Sequence, residues 1–120
     1  LIAGMNPANG ETVRLFSPLS SAELEAKLGP AYRAFQIHRL TTFRVRAEKM
    51  LAAASILEGE KDRFARIITL EMGKPLRSSV EEVEKSAEGC RYFAERSERF
   101  LADEHFEGGG FVRYLPLGLW

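Results

Sequence analysis

Cysteine and histidine are scarce in this chain, and each scarcity excludes something. Cys90 is the one cysteine, so no internal disulfide can form. Nothing in the cysteine usage supports an oxidising compartment, and the cytoplasm is the default expectation. His38 and His105 are the two histidines; they lie far apart and have no cysteine or carboxylate at ligand spacing, so no metal site is expected. Charge of one sign is missing as well. Seventeen basic and seventeen acidic side chains cancel and are interspersed, which leaves no field favouring nucleic acid or an anionic membrane surface. No apolar run approaches the roughly 18 to 20 residues that cross a bilayer. Leu1 to Met5 is apolar but short, without a basic flank or a cleavage pattern. The dinucleotide fingerprint G-x-G-x-x-G is absent. The chain does not begin with Met and closes on the apolar run Leu117-Gly118-Leu119-Trp120, so a piece of a longer protein is expected.

What is present has the balance of a globular protein, 45% hydrophobic and 28% charged. Residues 1–19 read as two short strands around Asn9-Gly10, with Thr12, Val13, Leu15 and Phe16 in the second and Pro18 ending it. Ser20 or Ser21 then caps a first helix whose Leu24, Leu28, Tyr32 and Phe35 share a face. Gly29-Pro30 predicts a kink or break within it, because Pro30 offers no N–H. Thr41 or Thr42 caps a second helix running to about Glu58, and Gly59 closes it. A third helix turns Phe64, Ile67, Ile68 and Met72 inward and stops at Gly73-Lys74-Pro75. The fourth carries Leu76, Val80, Val83, Ala87, Cys90, Ala94, Ser97 and Leu101 at alternating steps of four and three, a narrow buried seam. His38 and His105 fall near the ends of the first and fourth helices, where a partly protonated ring suits the dipole. Gly108-Gly109-Gly110 breaks the pattern, and Phe111 to Leu115 reads as a strand whose partners lie outside the sequence.

Five phrases add what periodicity does not. They are Asn6-Pro7-Ala8-Asn9-Gly10-Glu11, Ile67-Ile68-Thr69-Leu70-Glu71-Met72-Gly73-Lys74-Pro75, Glu82-Val83, Arg91-Tyr92-Phe93-Ala94-Glu95 and Pro116-Leu117-Gly118. In this order and spacing the chain resembles the N-terminal part of the NAD(P)-dependent aldehyde dehydrogenases from about Met5 to Trp120, and most resembles their succinate-semialdehyde dehydrogenase branch. The resemblance implies an α/β fold for the whole protein. Here it implies a β-hairpin, about four helices and a C-terminal strand belonging to the cofactor domain. Residues 1–107 would be the helical part of that domain, and 108–120 the start of a strand pair leading to an oligomerisation arm. It further implies oxidation of an aldehyde to a carboxylic acid through a cysteine thioester, NAD or NADP as cofactor, and a homo-oligomer, dimer or tetramer. The family's nucleophile and general base lie in later segments, so no catalytic or cofactor-binding residue is expected here. The rival expectation is a non-catalytic helical module that binds a partner.

Individual residues are weighed against that background. Cys90 sits on a helical seam without a nearby histidine or glycine-rich approach, and reads as a structural thiol. Glycines 108–110 follow a helix and precede a strand, the reverse of a phosphate loop. Lys74 lacks the upstream glycine and following hydroxyl of such a loop, and its charge suits a helix C-terminus. Glu71 and Glu82 read as capping or ion-pairing groups. Lys85 is the substrate-entrance candidate: in the resembling enzymes the corresponding helix lines part of the aldehyde tunnel, and a lysine there could attract the distal carboxylate of a semialdehyde acid. A solvated lysine on an amphipathic helix is the plainer reading. Arg91 is a weaker candidate for the same role.

Overall fold

The computed structural model describes residues 1–118. The chain opens with an antiparallel hairpin, β1 (Ile2–Met5) and β2 (Thr12–Phe16). The connection is longer than a two-residue turn. Asn6 Oδ1 accepts from Ala8 N at 3.0 Å, Asn9 Oδ1 accepts from Glu11 N at 3.0 Å, and the Asn6 amide donates to Glu11 O at 2.8 Å. Of the Asn9-Gly10 pair, Gly10 alone takes positive φ, at 75°. The register jumps from Gly4 opposite Arg14 to Met5 opposite Thr12, which leaves Val13 as a bulge.

Four helices follow: α1 (Ser21–His38), α2 (Phe43–Gly59), α3 (Lys61–Met72) and α4 (Leu76–Phe100). Ser20 caps α1 reciprocally: its Oγ accepts from Glu23 N at 3.3 Å while Glu23 Oε2 accepts from Ser20 N at 2.8 Å. The Ser20 N–H bond, joined by Ser20 Oγ donating to the same Glu23 Oε2 at 2.8 Å, holds the exposed Glu23 carboxyl below its ordinary range. Thr42 caps α2 through Val45 N at 3.3 Å. The expected break at Gly29-Pro30 does not occur; α1 runs through Pro30. Proline forfeits one N–H bond, but its fixed φ is helical, and on an exposed helix water can serve the carbonyl left over. Gly59 stays inside α2, and Glu60 takes the cap position.

The core lies where α4 packs along α2 and α3. Ala54 of α2, Ala65 of α3, and Ser79, Val83 and Ala87 of α4 are buried. Four of the five are alanine or serine, and side chains that small let the helix backbones approach closely. The seam is therefore real but centred slightly differently from the apolar reading. Val83 and Ala87 are buried, Val80, Cys90, Ala94 and Ser97 are half-buried, and Leu76 and Leu101 at its ends are exposed. Cys90 is thus less covered than a central seam position. On α3, Phe64 and Ile68 are half-covered, but Ile67 and Met72 are exposed, contrary to expectation. Ile67 stands about 200° around the helix from buried Ala65, and Met72 lies on the last turn.

Gly73 ends α3 in the left-handed conformation, φ 70°, with its N–H donating to Thr69 O at 3.0 Å. A Cβ there would meet Pro7 Cγ at 2.8 Å, so this glycine also admits the hairpin loop against the helix end.

After α4 comes a second hairpin, β3 (Glu104–His105) with β4 (Phe111–Val112). His105 thus belongs to a strand, not to the end of α4; its ring lies 5.7 Å from that of Phe111. The expected strand over 111–115 is cut to two residues, and its partner is within the chain. Pro116 and Gly118, with φ 131° at Gly118, oppose any continuation of regular structure. A line between residues 107 and 108 falls in the turn of this hairpin. The Leu119-Trp120 end of the apolar run lies outside the described residues.

The radius of gyration is 19.5 Å, against about 14 Å for a compact chain of this length. Leu24, Leu28 and Tyr32 of α1, Phe93 and Phe100 of α4, and Phe111 and Leu115 beyond it all lie exposed. Broad apolar faces are uncovered.

Candidate functional site

The sequence candidates cluster on α4, whose orientation is set by its buried seam. Lys85 stands about 160° around the helix from Ala87 and is exposed, as that geometry demands. Of the carboxylates within one turn of it, three are engaged elsewhere, while Glu88, three residues on, has no ion-pair partner among the described residues. Glu81 accepts from Arg77 at 3.2 Å, Glu82 pairs with Lys74, and Glu84 accepts from Lys61 at 2.7 Å. Among the described residues Lys85 has no ion-pair partner. An ammonium in that state is a point charge open to an anion approaching from solvent.

Arg91 is differently placed. Its guanidinium grips Glu58 of α2, with Nε donating to Oε1 at 3.0 Å and an Nη to Oε2 at 2.5 Å. The hydrogen bonds, more than the charge alone, raise the Arg91 pKa and lower that of Glu58. With its fork filled, Arg91 ties α4 to α2 and has little to offer a substrate. The structure therefore separates the two candidates: Lys85 faces outward and Arg91 is a cross-helix clasp.

The remaining candidates resolve as structure. Glu82 and Lys74 pair across the turn between α3 and α4, so Lys74 neutralises a carboxylate of the next helix. No polar partner is found for Glu71 among the described residues. Ser79, absent from the apolar pattern, is the most enclosed polar group. Its Oγ lies 3.0 Å from Thr69 Oγ1 and donates to Pro75 O at 3.3 Å, stitching the start of α4 to α3. A hydroxyl at an a/d-like position adjoining the helix start was the available signal.

No cluster of three or more His, Cys, Asp or Glu side chains suited to a metal exists among the described residues. Gly108 and Gly109, with φ 107° and 92°, serve the β3–β4 turn and do not lead into a helix N-terminus. The described residues therefore do not build the glycine-rich strand-to-helix cradle that holds a dinucleotide pyrophosphate. No helix among them is long and apolar enough to cross a membrane.

The hairpin, the four helices and the Gly73 closure with Pro7 seated against it carry four of the five phrases, and Pro116-Leu117-Gly118 follows β4. The sequence profile of the aldehyde dehydrogenase family matches residues 2–120. The chain belongs to the aldehyde dehydrogenase family. It is 46% identical over 125 aligned residues to the succinate-semialdehyde dehydrogenase [NADP(+)] of Mycobacterium avium (strain 104), an alignment covering 98% of this chain and 26% of that protein. Among solved structures, succinic semialdehyde dehydrogenase from Streptococcus pyogenes in complex with NADP+ superposes with a TM-score of 0.81 at 23% identity, covering 92% of this chain and 25% of that one. NADP-dependent glyceraldehyde-3-phosphate dehydrogenase from Bacillus halodurans C-125 gives 0.77 at 28% identity, covering 91% and 24%. The chain thus spans about a quarter of the length of the curated relatives it matches. These likenesses agree with the hairpin-and-helix start of an α/β aldehyde dehydrogenase.

Proposed function

We propose that the protein carrying this chain oxidises succinate semialdehyde to succinate with NADP+ as hydride acceptor, through a cysteine thioester. The observation that supports the substrate and the cofactor is the 46% identity, over nearly the whole chain, to the Mycobacterium avium enzyme of that name. The same family membership favours the dehydrogenase over a stand-alone interaction module. In this proposal the nucleophile, the general base and the cofactor site belong to residues outside this chain, and Cys90 takes no part. Residues 1–107 are scaffold for the cofactor domain, and 108–120 lead toward the arm through which the enzyme forms a dimer or tetramer. The rest of the protein would then cover the apolar faces of α1 and of the C-terminal segment.

Lys85 is the one residue of this chain to which the proposal gives a substrate role. Its unpaired ammonium attracts the distal carboxylate of the semialdehyde at the tunnel mouth. Exposure limits the effect, because solvent and salt screen a surface charge.

The test compares kcat/KM for succinate semialdehyde with that for butanal, a neutral aldehyde of equal carbon count, in the intact enzyme. A strong preference for the semialdehyde, and for NADP+ over NAD+, is expected. Equal preference for the two aldehydes ends the substrate proposal. Lys85→Met should lower the ratio by no more than about fivefold, and less at high salt. An unchanged ratio removes Lys85 from the mechanism while leaving the substrate in place.

A further inference from the structure

A cleft of about 360 Å³ opens between the C-terminal half of α4, the first turns of α2 and the end of α1. It lies away from the exposed face that carries Lys85. Its walls are apolar: Phe43, Met50, Phe93 and Leu101 contribute, and no carboxylate lines it. Its ionisable groups are all basic: His38 at the end of α1, and Arg46 and Lys49 of α2. Arg46 and Lys49 stand three residues apart on α2, which puts them on one face of the helix with Cβ atoms about 5–6 Å apart. Neither makes an ion pair among the described residues. The Arg46 guanidinium is held over the Phe43 ring, 4.4 Å from its centroid, so it is anchored at the rim by stacking and keeps its N–H edges free of any carboxylate. Acidic and basic residues balance in the chain, yet this cleft has a largely apolar floor, two adjacent unpaired cations with the His38 ring and the Ser97 hydroxyl beside them, and no acid.

We infer that this cleft binds a small monocarboxylate with an apolar body, its carboxylate bridging Arg46 and Lys49 and its tail lying against Phe43, Met50, Phe93 and Leu101. The volume suits a small molecule and is too little for a peptide helix. The apolar walls disfavour a strongly hydrated anion such as inorganic phosphate, whose lost water they could not replace. A neutral apolar molecule would leave both cations without a counter-charge.

Met50 offers a local readout, with Met5 and Met72 as internal controls remote from the cleft. The intact protein, labelled with ¹³C at the methionine methyls and with the Met50 resonance assigned through Met50→Leu, is titrated with octanoate, 1-octanol and acetate. Octanoate should shift Met50 saturably and leave Met5 and Met72 in place. 1-Octanol should bind at least about tenfold more weakly, and acetate should leave Met50 unmoved over the same range. Lys49→Gln, at an exposed position that should not threaten folding, should weaken octanoate by several-fold, and Arg46→Gln with Lys49→Gln by about tenfold. Lys27→Gln on α1 should change nothing. A Met50 signal unresponsive to octanoate, whether because the cleft is empty of affinity or covered by the rest of the protein, overturns the inference. So does equal binding of octanol, or undiminished octanoate binding by Lys49→Gln.

Discussion

Gly73→Ala is the substitution whose cost the structure separates most cleanly into parts. Gly73 sits at φ 70° and Gly10 at φ 75°, so an alanine at either site meets the same left-handed backbone. That conformation costs a residue with a Cβ about 1–2 kcal/mol, offset by a few tenths to 1 kcal/mol because alanine also stiffens the unfolded chain. The two sites differ in their surroundings. A Cβ at Gly10 meets nothing within 4 Å, whereas one at Gly73 meets Pro7 Cγ at 2.8 Å and Cβ at 3.6 Å. Carbon atoms in good contact sit about 3.5–4.0 Å apart, so the hairpin loop must retreat or the proline ring must repucker. Overpacking of that kind adds about 1–2 kcal/mol.

The expected totals are about 1 kcal/mol for Gly10→Ala and about 2–3 kcal/mol for Gly73→Ala. Native-state hydrogen exchange in the intact protein measures them where they act, since the residue-73 amide bonds Thr69 O and the residue-10 amide bonds Asn6 O. Opening at the end of α3 should accelerate by about 30- to 150-fold, against about fivefold at the hairpin loop. Pro7→Ala removes Cγ, so in a double-mutant cycle with Gly73→Ala it should return about 1 kcal/mol. Gly73→Asn should recover part of the backbone share and none of the steric share. Equal costs at positions 10 and 73, or no coupling to position 7, would refute the close-packing argument.

Two further expectations follow from α4. The Arg91 hydrogen bonds lower the Glu58 pKa below the ordinary value of 4.5, so the unfolded chain binds more protons than the folded one in that window. The stabilisation from this pair is complete above the unfolded value and fades as pH falls through the folded one; Glu58→Gln should therefore flatten the acid limb of the unfolding midpoint below about pH 5, and an unaltered limb would dismiss the clasp. Cys90 is half-buried beside the seam, so thiol titration of the native protein should run slower than in denaturant, and Cys90→Ala should keep kcat/KM within about twofold; reaction at the denatured rate, or loss of turnover, would contradict a structural thiol.

The helices were legible because each carries its own signals. Ser20 with Glu23, Thr42, and Gly73 before Pro75 are start and stop chemistry within a few residues of one another. The α4 seam is a periodicity that any one helix displays. What escaped the sequence is what joins distant segments. Arg91 finds Glu58 across 33 positions, and no local rule selects that carboxylate from the others nearby. Ser79 is buried because α3 supplies Thr69, a fact of packing and not of pattern. β3 was missed because Glu104 and His105 carry no β-branched or alternating signal; a two-residue strand is defined by its partner alone. At Pro30 the break half of the expectation fails, because α1 continues through it despite a penalty of about 3 kcal/mol for a proline inside a helix. The candidate site was legible to the extent that exposure is: Lys85 lies opposite the seam, so the heptad reading already placed it outside. That Glu81 and Glu82, four and three residues before it, pair elsewhere was not legible.

The pairing of those glutamates belongs to a wider pattern around α4. Three ion pairs flank α4: Lys74 with Glu82, Lys61 with Glu84, and Arg91 with Glu58. Each is partly exposed, and surface pairs contribute little to stability. Their consequence for α4 is directional. Glu84 and Arg91 stand about 60° and 40° around the helix from buried Ala87, on one flank of the seam. Partners there on α3 and α2 oppose rotation of the helix about its axis. Of the glutamates one turn from Lys85, Glu82 is held by Lys74 and Glu81 by Arg77, while Glu88 is unpaired among the described residues. In the enzyme proposed above, this scaffold would then still matter to substrate capture. Alanine and serine let α4 settle close, flanking pairs fix its rotation, and Lys85 is carried on the exposed side without an ion-pair partner among the described residues.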